Sequence, residues 1–190
     1  MIEELKKCID NNMDYLERDD LDGFYQALQR DAYDMKLSNE DIGACTEFFE
    51  NECGINTMSA LSSIPRYYCY HVKTLPKSMV QSGVLRFPSH IDTIYALGFS
   101  ATGGYNIIDL RGIKYIKNMA FSYLVEDIEQ LIFDKSIDFT IWNPTVVHNA
   151  FFHTTVKKIY LPDNDKFDEN VNTLLNFNWT PGTEPEFERY

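Results

Sequence analysis

The sequence predicts an α+β fold: a short, irregular solenoid carrying a parallel sheet, capped by an N-terminal three-helix segment. Three observations predict it. Residues 1–60 space their apolar side chains three and four apart. After residue 60, short β-prone runs recur between Pro, Gly and Asn punctuation. A small residue followed by an aromatic one then returns at Cys69-Tyr70, Gly98-Phe99, Ala120-Phe121 and Ala150-Phe151, at spacings of 29, 22 and 30.

The helices come first. Ile2, Leu5, Ile9, Met13 and Leu16 form one stripe, which predicts a helix over 2–17. Asp19 or Asp20 is placed to cap a second helix, with the stripe Leu21, Phe24, Leu28, Ala32 and Met35. Ser38-Asn39-Glu40-Asp41 resembles a capping box before Ile42, Cys45, Phe48 and Phe49, with Gly54 as the stop. Three short helices on short links should pack as a small bundle.

The strands follow. "LRFP" (85–88), "IDL" (108–110), "LIFD" (131–134) and "IYLP" (159–162) each place apolar residues on both sides of a middle residue. Period-two geometry points the flanking residues one way and the middle one the other. The middle residues are Arg86, Asp109, Ile132 and Tyr160, at spacings of 23, 23 and 28. One strand per unit, at a period in the twenties, is the signature of a leucine-rich solenoid, whose units bury their apolar residues only by stacking. The rival explanation is an amphipathic helix used twice, in "IDTIYALGF" (91–99) and "IKYIKNMAF" (113–121). Thr102-Gly103-Gly104 and Arg111-Gly112 interrupt any such helix, and it leaves the matching strand period unexplained. The two stretches are therefore read as scaffold, with Ile113, Ile116, Met119 and Phe121 pointing inward.

The unit resembles the BspA-type leucine-rich repeat: apolar-x-apolar-Pro, then Ile, Ile and small-Phe at fixed offsets. "LRFPSHIDTIYALGF" (85–99) fits nearly throughout. "IDLRGIKYIKNMAF" (108–121) matches with one residue dropped after the strand. The unit from Leu131 to Phe151 keeps both ends around an insertion near Trp142. "IPRYYCY" (64–70) looks like the tail of an earlier unit, and "VKKIYLP" (156–162) opens a last one that does not complete. The resemblance covers about residues 61–162 and implies a parallel-sheet solenoid. Residues 1–60 have no counterpart in it. The expected organisation is an acidic helical cap over 1–60, the repeat unit with its C-terminal cap over 61–178, and a flexible acidic tail over 179–190.

Composition bounds the function. The chain has 190 residues, 44% hydrophobic and 14% aromatic, enough for a core without staples. Its net charge is -12, with 15 acidic and 5 basic residues in 1–60 against 7 and 8 in 61–155. That balance argues against direct binding to a nucleic-acid backbone, which needs a Lys/Arg excess. No apolar run of about 18 residues is present, so no membrane span is expected. The opening "MIEELKKCIDNNMDYLERDD" is acidic and amphipathic, unlike a signal peptide, so a cytoplasmic setting is expected. Cys8, Cys45, Cys53 and Cys69 form no CxxC pair and are read as reduced, mostly buried thiols.

No catalytic constellation stands out, and neither cofactor nor metal is expected. "SATGGYN" (100–106) lacks phosphate-loop spacing. His148 and His153 are five apart, unlike a ligand pair, and His71 and His90 fall in separate units. "DNDKFDEN" (163–170) places Asp163, Asp165 and Asp168 as in a calcium loop but lacks its Gly and Glu, so it is read as a polar turn.

The expected function is a non-enzymatic, protein-binding module. A parallel sheet would hold Arg86, Asp109, Ile132 and Tyr160 in a row, flanked by Val84, Ile107, Gln130 and Lys158, as a surface mixing apolar and charged side chains. Trp142, in the insertion, is a second partner-binding candidate. Whether the row is open, or covered by the helices or the tail, stays undecided at this level. The alternative is an acidic inhibitor, of phage counter-defence or nucleic-acid-mimic kind, occupying a basic site on a nucleic-acid-handling protein.

Overall fold

The structure, a computed structural model, describes residues 2–18, 20–32, 35, 63–64, 75, 79–87, 89, 91–139 and 148–190. The described residues between 2 and 32 are mostly helical, but the helix expected over 2–17 is broken. α1 spans Ile2–Asp10 and α2 spans Met13–Glu17. Asn12 makes the break: its buried side-chain amide donates to the Cys8 carbonyl at 2.6 Å and to Asp31 Oδ2 at 2.9 Å. A side chain that bonds its own backbone competes with the helical ladder. α3, Leu21–Ala32, starts as its sequence predicts, with the Gly23 amide donating to Asp20 Oδ1 at 2.9 Å. Leu5 and Ile9 of α1 are buried, as are Phe24, Leu28 and Ala32 of α3. The third expected helix, after Ser38, lies outside the described residues.

Two sheets follow. The smaller joins β1 (Ser63–Ile64), β4 (Thr93–Ile94) and β6 (Tyr115–Ile116), all parallel. The larger has six strands: β2 (Val80–Gln81), β3 (Val84–Arg86), β5 (Ile107–Leu110), β7 (Ile128–Phe133), β8 (Val156–Leu161) and β9 (Glu186–Arg189). They lie in the order β2-β3-β5-β7-β8-β9, and only the β2–β3 hairpin is antiparallel. Its two-residue turn, Ser82-Gly83, takes φ of 52° and 77°, the left-handed pair that such a hairpin requires. Leu85, Ile108, Leu131 and Ile159 pair in register, and each is fully buried. The alternation in the sequence is therefore the alternation of the sheet.

The stretch 113–121 is a strand followed by a turn, as is 91–99. Ile64, Ile94 and Ile116 pair across the small sheet and are buried. The turns then lay Phe99, Phe121 and Phe151 over one another, with ring centroids 5.3 and 5.2 Å apart and planes within 10° and 5°. Backbone bonds tie the same positions: the Phe99 amide donates to the Ala120 carbonyl and the Phe121 amide to the Ala150 carbonyl, both at 2.8 Å. The small residue before each Phe answers to space. A Cβ on Gly98 would sit 3.2 Å from both Ile94 Cγ2 and the Tyr95 carbonyl. Met119, expected to point inward, is only half-buried; Ala120 takes the interior place because the turn twists Met119 to a φ of 57°.

The C-terminal segment corrects the expectation of a flexible tail. Trp179 is buried, stacks on Phe151 at 5.6 Å, and donates its indole N–H to the Leu174 carbonyl. α4, Phe167–Leu175, is fastened by the fully buried Asn170. Residues 186–189 form β9, pairing with β8. The physical reason is a strand pattern within an acidic, Pro-rich run. Phe187 packs against the core, while Glu186 and Glu188 flank Lys158 of β8. Tyr190 donates its hydroxyl to the Phe133 carbonyl and its amide to the Leu161 carbonyl.

Candidate functional site

The outward-facing residues of the large sheet stand in two rows. The register places Val84, Ile107, Gln130, Lys158 and Glu186 in one, and Arg86, Asp109, Ile132, Tyr160 and Glu188 in the other. Strands about 4.8 Å apart give each row a length of roughly 19 Å. The four sequence-derived residues are thus brought side by side. β9 lengthens the rows instead of covering them. Trp142 lies outside the described residues.

The row is not uniformly exposed, and Asp109 is the correction. Its side chain points outward, yet it is only 5% exposed because arginines cover it. Arg111 folds back to donate from Nε to Oδ1 at 2.7 Å and from a terminal nitrogen to Oδ2, a two-pronged grip. Arg86, one strand over, donates from Nε to Oδ2 at 3.2 Å. Burial pushes the Asp109 carboxyl up, but the bonds from Arg111 and the charge of Arg86 outweigh it and hold the group below the usual carboxylate range. Asp109 therefore positions two guanidiniums that themselves stay more than half exposed. Sequence reasoning missed Arg111, since it follows the strand; the signal was an Arg two residues past an outward Asp.

Ile107, Gln130, Ile132 and Tyr160 fill the middle of the face and are each partly exposed. At the far end Lys158 lies between Glu188 and Glu186. The face offers planar donors at one side, apolar contact at the centre and carboxylates at the other. Such a surface can hold a polypeptide segment by shape and charge.

The other polar candidates resolve into structure. Arg189 of β9 donates to Asp163 at 2.8 Å and to Asp168 at 3.2 Å, and lies 3.9 Å above the Phe167 ring. The run that resembled a calcium loop thus has a guanidinium as its cation. Gly104, at a φ of 89°, turns the chain and donates to Glu126 Oε2. His148 lies by Phe177 and His153 by Tyr123, both in turns and not on the strands. Among the described residues, no three His, Cys, Asp or Glu side chains gather to hold a metal ion. Among them, too, no helix is long and apolar enough to cross a membrane. Compared with family models, curated proteins and solved structures, the chain matches none.

Proposed function

We propose that the chain is a non-enzymatic protein-binding module whose outer sheet face captures a partner polypeptide. The observation that carries this reading is the register-aligned row of Arg86, Ile132 and Tyr160, with Arg111 beside it, held rigidly on paired strands. Arg and Tyr are the side chains that most often dominate binding energy at protein interfaces. The same reading takes the stacked strands and turns as consecutive units of a leucine-rich-repeat-like solenoid, supported by the strand and Phe spacings in the sequence.

The test is affinity capture from native host lysate at low and high salt. Wild type is compared with the triple substitution Arg86→Ala, Arg111→Ala, Tyr160→Ala. The expected result is a partner retained by wild type and lost by the variant, with far-UV circular dichroism unchanged. Equal recovery by both proteins, or no partner recovered by either, overturns the proposal.

A further inference from the structure

The three stacked turns carry a second row of side chains, outside the Phe stack. Ala101, Tyr123 and His153 occupy the same place in successive turns. Their amides donate to the Ser122, Phe152 and Asn178 carbonyls at 2.9, 2.9 and 2.8 Å. All three adopt left-handed backbone, with φ of 56°, 53° and 52°. Gly or Asn fits that conformation at less cost than an aromatic residue.

The two aromatic members nevertheless stand in solvent. Tyr123 is 50% exposed and stacks on exposed His153 at 5.4 Å, with planes within 19°. Half-buried Phe152 abuts both rings, at 5.4 Å from Tyr123 and 4.4 Å from His153. Val125, two residues on, is 71% exposed, the largest exposure of any large apolar side chain among the described residues. Exposed Glu126 and Asp127 follow it directly. Glu126 already accepts the Gly104 amide, and the charge of Asp127 reaches Lys157, which is bound to Glu129 at 2.6 Å.

An exposed aromatic pair beside an exposed apolar residue and the Asp127 carboxylate has a definite complement. A guanidinium that lies flat over the Tyr123 ring is also drawn by the charge of Asp127, four residues on, and a neighbouring apolar side chain can rest on Val125. We infer that Tyr123, His153, Val125 and Asp127 form a docking site for a partner-protein segment that presents an arginine beside an apolar residue. The site shares no residue with the two rows of the sheet face, and the inference does not depend on the binding role proposed for them.

A displayed library of random 12-residue peptides, panned on the full chain, tests the site. Enriched peptides are expected to carry Arg next to an apolar residue at about fivefold or more over the unselected library. Tyr123→Asn suits the left-handed backbone, so its melting temperature should match or exceed wild type, while its binding to the enriched peptides should fall about tenfold. Asp127→Asn, which leaves the rings untouched, should weaken the same peptides and remove their salt dependence. The triple substitution on the sheet face should still bind them. The inference is overturned if enriched peptides lack basic residues, if Tyr123→Asn binds them equally, or if it melts well below wild type. Loss of binding by the sheet-face variant overturns it too, by moving the peptides onto that face.

Discussion

Asp109 shows how a single carboxylate can be legible in direction and illegible in role. Alternation in "IDL" states correctly that it points away from the core. Its burial comes from Arg86, 23 residues earlier, and Arg111, two residues later, and only the pairing of β3 with β5 brings the first of these near. Asp109→Ala leaves two guanidiniums without their shared acceptor and is expected to cost about 1–3 kcal/mol in urea unfolding, below the range for broken buried pairs because both arginines reach water. The pH dependence has a definite sign. A carboxyl whose folded pKa lies below its unfolded value, about 3.9, contributes stability above that value and loses it as pH falls through the folded one. Wild type should therefore lose stability on acidification below about pH 4 more steeply than Asp109→Asn does. Matching slopes for the two proteins would show that Asp109 is not held down by its arginines.

At the scale of elements, the strands were readable because each carries its own alternation, and the helices because α3 carries its own cap and stripe. What escaped was decided by partners distant in sequence. The break after α1 depends on Asn12 reaching Asp31, and the ordering of the tail depends on Lys158 and the Phe133 carbonyl. α4 gives the sharpest test of such a link. Its Asn170 donates to the Ile137 carbonyl at 3.2 Å and accepts the Phe139 amide at 2.9 Å, wholly buried. Asn170→Leu strands both backbone groups and should cost about 2–4 kcal/mol by chemical denaturation. Tyr190→Phe, by contrast, removes one hydroxyl donor at the sheet edge and should cost about 1 kcal/mol. Burial and the nearby Asp134 raise the Tyr190 pKa, so its contribution is present below the unfolded value, about 10, and is lost as pH rises through the folded one. Relative to the base-catalysed intrinsic rate, hydrogen-exchange protection at 186–189 should fall first in that alkaline range, and an equal fall of protection across the sheet would count against the Tyr190 anchor.

Across the whole molecule, each parallel strand pairs only with its spatial neighbours, so cohesion must be passed along from one turn to the next. The Phe stack is the continuous element that does so, and at Phe151 it meets the C-terminal segment. Phe99 meets Phe87 at 5.5 Å and Phe121 at 5.3 Å. Phe151 meets Phe121 at 5.2 Å, Trp179 at 5.6 Å, Phe133 at 6.2 Å and Phe177 at 6.4 Å, which joins strand, turn and C-terminal closure at one ring. The sequence announced the stack through its small-then-aromatic pairs, but not this C-terminal junction, because Phe177 and Trp179 lie beyond the last recurrence. Phe151 is fully buried, so its truncation leaves a cavity and also removes four aromatic contacts. Phe151→Ala should therefore cost about 5 kcal/mol in equilibrium urea unfolding. The loss should also appear as release of the Trp179 indole to solvent, read as a red shift of its fluorescence before the main transition. A cost of about 1 kcal/mol or less, with the indole fluorescence unmoved, would make the C-terminal segment an appendage to the core instead of its closure.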